Sequence, residues 1–362
     1  MLVTGTEACI QEFETGLIAR FGKDGVSSFI GDEIDFLGMR VSRNPTNNDI
    51  TLTQMGYIES IFEEDHLQTE DKKVSSPHYS NFSADKSKDS SPLDENKEYF
   101  RRKVMQVMYA AVRTRPDVIF DTVVLAGRCE NPTEKDMASL RRILIFLYQT
   151  RTDGLRFKSA GKFKPNASVD ASFNCYENGR GHSGFAMFLD LEGSAAILYK
   201  SIKQLTVSNS STEAELISLK EAVMHILWAA RMCQELDPEL NIYPITIYND
   251  NKSLISLVNQ PIVNRQGRSK FINRSMFQVN ENIADGEVVV VYQDTNSLVA
   301  DFLTKALHGE RYRNIRAEIM GLDGKTIEIH LGDGDGTNFN AQASKIIKLK
   351  DHLICLLADN NF

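Results

Sequence analysis

The hydrophobic positions of the chain change their spacing several times along its 362 residues. Residues 1 to 75 combine a helical spacing, from Ile10 to Phe21, with short β-like runs joined by asparagine-rich turns. From Tyr99 to about Thr152 apolar residues recur at helical intervals, and Pro116 and Pro132 stand near helix starts. The first part of the chain is therefore predicted to be an α+β region followed by three short helices.

Beyond about residue 163 the pattern becomes that of an α/β unit. Three apolar runs in quick succession predict three strands, and a long helix is predicted from about Ser211 to Leu236. A fourth strand, a short helix, an amphipathic helix, a fifth strand and a last helix from about Ser297 to Leu307 follow. The amphipathic helix carries four apolar residues on one face, namely Ile272, Met276, Val279 and Ile283. The predicted fold class is α/β, with a mixed five-stranded sheet flanked by helices.

Local composition divides the chain into five segments. Residues 78 to 98 are rich in serine, aspartate and lysine and almost free of aliphatic side chains, so they are predicted to be a polar linker. After about residue 322 the chain becomes rich in glycine and asparagine and then ends in an apolar stretch. The predicted segments are 1–77, 78–98, 99–160, 161–308 and 309–362.

The overall composition excludes several classes of protein. Hydrophobic residues make up 42% and charged residues 25% of the chain, as in ordinary globular proteins, which argues against wholesale disorder. The five cysteines are scattered without metal-ligand spacing, so they are expected to be free thiols in a reducing compartment. No apolar run approaches the ~18–20 residues of a membrane span, and the N-terminus lacks the pattern of a signal peptide. A soluble, intracellular protein is predicted.

The formal net charge of −8 argues against nucleic-acid binding, because phosphate contacts need clustered Lys and Arg. A basic group on a predicted helix qualifies that average, and it consists of Arg265, Arg268, Lys270 and Arg274. We predict that these four residues bind a nucleic-acid backbone. The alternative is an ordinary solvated helix face that makes surface ion pairs.

Four acidic residues are candidates for metal-dependent phosphodiester hydrolysis. Such hydrolysis needs carboxylates that converge from separate elements, so that hard cations ~3.5–4 Å apart activate water and neutralise the leaving oxygen. Asp170 lies in the first predicted strand and Asp250 ends the fourth, whereas Glu215 lies in the first turn of the long helix and Asp301 begins the last helix. Their joint occurrence in this order favours one shared site over four separate structural roles.

Each of these acids also has a structural interpretation. Asp250 precedes a short helix and could be its N-cap, and Asp301 could favour the positive end of a helix. Glu213 competes with Glu215, because the two point to roughly opposite sides of the helix. Ser210 and Glu213 form the S-x-x-E pattern of a capping box, so Glu215 is the predicted site residue.

Several ordered motifs resemble the landmarks of one family. SIKQLTVSNSSTEAELISL resembles S-K-K-Q-x-x-V-A-L-S-S-T-E-A-E-Y, YNDNKSLISL resembles C-D-N-x-S-A, and ADFLTKAL resembles A-D-I-L-T-K-P-L. FLGMRV and the RTRPDVIF run match further landmarks in the same order. Over nearly all of residues 1–320, the chain resembles the C-terminal part of the Pol polyprotein of copia-type LTR retrotransposons, from the end of reverse transcriptase through ribonuclease H.

The resemblance implies an identity for each predicted segment. Residues 161–308 would be a ribonuclease H domain, residues 1–77 a remnant of the reverse-transcriptase palm, and residues 99–160 a thumb- or connection-like helical region. Residues 309–362 would be a C-terminal extension of unknown role. In the relatives a polymerase motif, aromatic-x-Asp-Asp, lies just before a segment like the one that begins at Met1, so DNA synthesis by this chain alone is not expected.

The resemblance also implies roles for the four acids. Carried over by motif, Asp170, Glu215, Asp250 and Asp301 would be catalytic and would bind two Mg²⁺ or Mn²⁺ ions. Asp170 would bridge both ions, Asp301 would complete the site that holds the attacking water, and Glu215 and Asp250 would bind the ion at the leaving side.

The function implied is a metal-dependent endonuclease that cleaves the RNA strand of RNA–DNA hybrids. The expected partners are the hybrid and the upstream reverse-transcriptase portion, with no membrane and no small-molecule substrate. The cytoplasm, a virus-like particle or the nucleus would be its location. Two alternatives stay open: a catalytically decayed nucleic-acid-binding or assembly fragment, and a nuclease for DNA junctions on the same fold.

Overall fold

The structure is a computed structural model. It describes residues 7–26, 31–64, 74–85, 91–93, 96–159, 163–190, 193–260 and 270–322, and of residues 270–275 it describes the backbone alone.

The first of two sheets has four antiparallel strands in the order β1-β2-β3-β4. These strands are β1 (Glu33–Phe36), β2 (Met39–Arg43), β3 (Ile50–Thr53) and β4 (Leu155–Phe157). Leu37 and Gly38 join β1 to β2 with φ of 49° and 71°, as the two-residue turn of a tight hairpin requires. The chain then leaves the sheet to form helices and returns to it with β4.

Five helices accompany this first sheet along the chain. They are α1 (Glu7–Phe21), α2 (Met55–Glu63), α3 (Lys97–Arg113), α4 (Ile119–Ala126) and α5 (Glu134–Gln149). The last three, which we call the helical region, confirm the prediction of three short helices. α5 begins with a capping box, in which the Thr133 side chain accepts from the Asp136 backbone and the Asp136 side chain accepts from Thr133.

The second sheet has five strands in the order β7-β6-β5-β8-β9. They are β5 (Phe163–Ser172), β6 (Arg180–Asp190), β7 (Leu198–Val207), β8 (Ile245–Asn249) and β9 (Val288–Tyr292). β5, β6 and β7 form an antiparallel meander, and β8 and β9 run parallel to β5. This mixed five-stranded sheet flanked by helices is a ribonuclease H-like arrangement and confirms the predicted fold class.

Four helices follow β7 along the described part of the chain: α6 (Ser211–Leu236), α7 (Lys252–Val258), α8 (Lys270–Ala284) and α9 (Gly309–Met320). α6 has the bounds expected from the sequence and packs on β5 and β6. Its buried positions recur every three or four residues, as in Leu219, Ala222, Val223 and Ile226. Half of the predicted capping box is present, since Ser210 Oγ accepts from the Glu213 backbone N–H, whereas the Glu213 carboxylate accepts from Asn209 N and not from the N-cap residue.

The helix predicted from Ser297 to Leu307 is not formed. Residues 295–297 and 299–303 are two short 3₁₀ turns instead. Backbone groups of the second turn bond to the sheet, since Ala300 N donates to Ser168 Oγ and Ser172 Oγ donates to Thr304 O. These long-range hydrogen bonds replace the intrahelical ones that the local pattern suggested.

The two sheets share one hydrophobic core. α4 packs against β7, and the Tyr199 hydroxyl donates to Ala111 O over 3.0 Å. Ala196 N donates to Ile319 O at the end of α9. The ribonuclease H-like unit therefore packs directly against the helical region.

Parts of the segment predicted as a polar linker take part in this packing. His78, Ala84 and Leu93 are buried. The His78 ring lies 3.3 Å from an Asp121 carboxylate oxygen through Nδ1 and 2.5 Å from Leu307 O through Nε2. Single buried residues anchor a stretch whose average composition is polar.

Candidate metal centre

Three of the four predicted acids meet at one edge of the second sheet. Asp170 lies near the end of β5, Asp250 follows β8, and Asp301 lies in the second 3₁₀ turn. Each offers a carboxylate oxygen, and the three oxygens lie within 4.8 Å of one another. β5 and β8 are parallel neighbours, so their carboxyl ends reach the same edge of the sheet.

Asp250 is not the N-cap of the helix that follows it. The cap of α7 is Asn251, whose Oδ1 accepts from Leu254 N over 3.0 Å. Asp250 Oδ2 instead accepts from the Thr295 hydroxyl over 2.7 Å. The structural interpretation of Asp250 is therefore wrong, and its carboxylate faces the cluster.

The fourth acid, Glu215, lies behind this group. Its side chain is buried, and Oε2 accepts from Asn249 Nδ2 over 3.0 Å. The same amide group also donates to Val169 O, so Asn249 ties Glu215 to the neighbouring strand. Glu213 faces outward, where its Oε2 accepts from Asn209 N. The helix phase therefore places Glu215, and not Glu213, beside Asp170.

The segment that carries Asp301 lies close against the sheet at a glycine. A β-carbon at Gly184, which pairs with Asp170, would lie 2.6 Å from Thr304 Cγ2 and 2.8 Å from Leu303 Cβ. Such distances are too short for carbon atoms in van der Waals contact. Because Gly184 has no side chain, residues 299–304 can pack closely against the sheet at the site.

A directed hydrogen-bond chain holds the same segment from the other side. The Ser201 hydroxyl donates to Leu303 O over 2.7 Å, so it accepts from His182 Nε2, also over 2.7 Å. His182 Nδ1 then accepts from the Tyr176 hydroxyl. Burial lowers the pKa of His182 to about 3, so the imidazole is neutral, as this chain requires.

The acids are contacted by two basic residues that do not belong to the predicted site. Lys305 Nζ lies 2.6 Å from Asp301 Oδ1 and 3.3 Å from Asp170 Oδ2. Arg311, on α9, forms an ion pair with Asp301 Oδ2. The spacing of Asp301 and Lys305 along the chain was a signal for one of these contacts, but no sequence pattern links Arg311 to Asp301.

Burial and mutual repulsion raise the pKa values of Asp170 and Glu215. Burial, with the charges of Asp301 and Asp250, raises the pKa of Asp170 to about 6, although Lys305 opposes the change. Burial and the Asp170 charge raise the pKa of Glu215 to about 9. Burial lowers the pKa of Lys305, but the charges of Asp170 and Asp301 outweigh it and raise that pKa. The excess of carboxyl groups over basic groups at this site therefore favours the uptake of a proton or a cation.

The donor set fits a hard divalent cation. Carboxylate oxygens from separate elements are the ligands that Mg²⁺ and Mn²⁺ take. The Lys305 ammonium group lies between Asp170 and Asp301, where a cation shared by the two carboxylates would lie. This acidic cluster could therefore bind a metal ion.

The predicted basic group falls largely outside the described part of the chain. Arg265 and Arg268 lie outside the described residues, and of Lys270 and Arg274 only the backbone, in α8, is described. Their nucleic-acid contact stays a prediction. None of the helices in the described residues is long and apolar enough to cross a membrane.

Comparisons with known proteins find similarity to transposon polyproteins. No model of a known protein family matches it. It is 27% identical over 317 residues to the retrovirus-related Pol polyprotein from transposon TNT 1-94 of Nicotiana tabacum, an alignment that covers 85% of this chain and 23% of that protein. It is 29% identical over 289 residues to the polyprotein from transposon RE1 of Arabidopsis thaliana, covering 78% and 19% respectively. The chain thus spans less than a quarter of the length of these relatives.

A comparison with solved structures finds a ribonuclease H. The structure of LC11-RNase H1, isolated from compost, matches 39% of this chain and 93% of its own with 13% identity and a TM-score of 0.30. Because that TM-score is low, the fold class rests on the strand order of the second sheet.

Proposed function

We propose that this chain, a homologue of the retrovirus-related Pol polyproteins of plant transposons, is a metal-dependent endonuclease that cleaves the RNA strand of RNA–DNA hybrids. The observation that carries the proposal is the convergence of Asp170, Asp250 and Asp301 within 4.8 Å at the edge of a ribonuclease H-like sheet. Glu215, directly behind them, would be the fourth member of the site.

The cation chemistry follows from the donor set. Bound Mg²⁺ or Mn²⁺ would supply an activated water and neutralise the charge of the leaving oxygen. Asp170, Asp250 and Asp301 would hold the cations, and Asn249 would keep Glu215 turned toward them. Lys305 would leave its position between Asp170 and Asp301 when a cation enters, because both cannot occupy the same space.

The hybrid is the proposed partner, and its backbone would lie over the open edge of the site. Asp250 is the least buried of the three converging acids, so this edge is the side from which a phosphate can approach. Arg265, Arg268, Lys270 and Arg274 would contact that backbone. Each such contact releases counterions and steepens the salt dependence of binding.

The proposal is tested with the full chain and an RNA–DNA hybrid labelled on the RNA strand. Cleavage is expected with Mg²⁺ or Mn²⁺ and is expected to stop in EDTA. Asp250→Asn should lower the rate by more than ~100-fold, since it removes a direct ligand. Asp285→Asn is the matched control, because Asp285 is an exposed acid of the same unit, and it should cleave at the normal rate.

Other substrates separate the proposal from its alternatives. Binding of the hybrid without cleavage by any tested cation would contradict the proposal and favour a decayed nucleic-acid-binding or assembly fragment. Cleavage of a DNA junction, with no need for a 2′-hydroxyl, would favour a junction nuclease. Equal cleavage in EDTA would contradict the metal mechanism itself.

A further inference from the structure

One arginine outside the predicted site contacts one of the three converging carboxylates directly. It is connected to a second carboxylate through a threonine. Arg311 Nη2 forms an ion pair with Asp301 Oδ2 and donates to Thr295 O. The Thr295 hydroxyl in turn donates to Asp250 Oδ2 over 2.7 Å. Arg311 therefore fixes the Asp301 carboxylate and the turn that orients Asp250.

The helix that carries Arg311 is anchored at its other end. Arg316 Nε donates to Asp117 Oδ2 over 2.8 Å, and its Nη2 donates to Asp153 Oδ2 over 2.7 Å. Between these two arginines, Tyr312 is buried and its hydroxyl contacts Asp117 O. α9 therefore holds Arg311 in place from the helical region.

Arg311 also determines which oxygen of Asp301 is available. Asp301 is fully buried, and its Oδ2 is taken by Arg311, whereas its Oδ1 faces Lys305 and, beyond it, Asp170. A cation that displaces Lys305 thus meets Oδ1, and the bond to Arg311 remains. The two basic residues therefore have different roles. Lys305 lies where a cation would lie, and Arg311 holds the Asp301 carboxylate through its other oxygen.

We propose that Arg311 is a positioning residue of the metal site, acting through Asp301 and through Thr295 on Asp250. This inference rests on the proposed function. It predicts that cation binding weakens when Arg311 is removed, although removal of a positive charge beside the acids favours cation binding electrostatically. The two effects have opposite signs, so the direction of the change distinguishes them.

The test measures Mn²⁺ binding to the full chain by calorimetry, together with thermal unfolding and hybrid cleavage. Arg311→Ala should weaken Mn²⁺ binding about ten- to hundredfold, the usual effect of losing a partner that orients a ligand. Arg311→Lys, which keeps the charge and one donor, should recover part of that loss. Arg313→Ala is the matched control, because Arg313 is exposed on the same helix and its removal changes the net charge equally.

The outcomes distinguish this inference from the proposed function. Mn²⁺ binding that is unchanged or tighter in Arg311→Ala, in a protein whose wild type binds the ion, would overturn the positioning role and leave the proposed function standing. A wild type that neither binds Mn²⁺ nor cleaves the hybrid would overturn both. Weaker binding at a melting temperature close to that of Arg313→Ala would support positioning over a general loss of structure.

Discussion

Two aspartates in this molecule are both buried, but they differ in the charged groups that surround them. Asp117 lies between Arg115 and Arg316, and although burial opposes the change, these two charges lower its pKa to about 2. Asp170 lies beside two acids and one base, and burial together with the charges of Asp301 and Asp250 outweighs Lys305 and raises its pKa to about 6. Burial alone thus does not distinguish a structural acid from a functional one, whereas the balance of acidic and basic groups around it does.

The two clusters should also contribute differently to the stability of the fold. The Asp117 cluster is complete within the chain, since Arg115 and Arg316 neutralise it and also bond to Thr150 and Asp153. The carboxylate site contains more acid than base, so a cation from outside would complete it. The first cluster should therefore hold the fold together, and the second should weaken it until a cation binds.

The largest effect is expected at Asp117. Asp117→Asn should lower the free energy of unfolding by about 3–5 kcal/mol, because it leaves two buried arginines without their shared counter-ion. Urea denaturation of the full chain measures this loss. Asp285→Asn, an exposed acid, should stay within about 0.5 kcal/mol of the wild type. A loss that small at Asp117 would show that the cluster does not stabilise the fold.

The next effect is stabilisation by the cation. Mn²⁺ at a hundred times its dissociation constant should add about 2.7 kcal/mol to the free energy of unfolding. The gain should persist in Asp117→Asn and disappear in Asp250→Asn, because the second variant alone removes a carboxylate of the site. Thermal scans with and without Mn²⁺ measure it, and an equal gain in both variants would contradict the assignment of the site.

A smaller effect is the pH dependence of the cation-free protein. Because the pKa of Glu215 is raised to about 9, the folded state holds a proton that the unfolded state releases from about pH 4.5 upward. This contribution to stability is complete below pH 4.5 and is lost as the pH rises toward 9. Asp117, with its lowered pKa, behaves oppositely and loses its contribution as the pH falls from about 4 to about 2.

Glu215→Gln isolates the first of these contributions. The variant should match the wild type at pH 4.5 and be more stable than it at pH 8, because only the wild type carries a carboxyl group whose proton is lost on unfolding over that interval. Saturating Mn²⁺ should reverse the order. A difference between the two proteins that does not change from pH 4.5 to pH 8 would show that Glu215 is not held at a raised pKa.

The smallest effect is expected at the neighbouring acid, Glu213. Its carboxylate accepts from Asn209 N over 2.7 Å at the start of α6. Glu213→Ala should cost about 0.5–1 kcal/mol through the lost hydrogen bond to Asn209, because the N-cap bond from the backbone of residue 213 to Ser210 remains, and it should leave Mn²⁺ binding unchanged. If Glu213→Ala abolished Mn²⁺ binding and Glu215→Gln did not, the helix phase assigned here would be wrong.

Much of the second sheet and its site could be predicted from the sequence. The apolar spacing determined α6 from Ser211 to Leu236, and the S-x-x-E pattern separated Glu213 from Glu215. The resemblance to Pol polyproteins, seen in ordered motifs, is confirmed by the alignments. These features are local, because helix periodicity and capping depend on residues a few positions apart.

The features that escaped prediction depend on residues far apart in the chain. LVADFLT has a helical pattern, but Ser168 and Ser172 bond its backbone from more than a hundred positions away. Arg311 meets Asp301 only because α9 is anchored on Asp117. Likewise, His78 in the predicted linker makes a buried contact with Leu307, which is far from it in the sequence. A periodic pattern carries no information about such pairs.

The place of α9 in the chain gives the site an order of assembly in time. A chain that is synthesised from its N-terminus forms its first sheet and helical region before Asp301 and Arg311 have been made. Asp170 and Glu215 are made next, before the helix α9, whose Ile319 carbonyl accepts from Ala196 N. A nascent chain therefore cannot hold a complete carboxylate cluster, with its Arg311 contact, until almost all of the described residues have been synthesised.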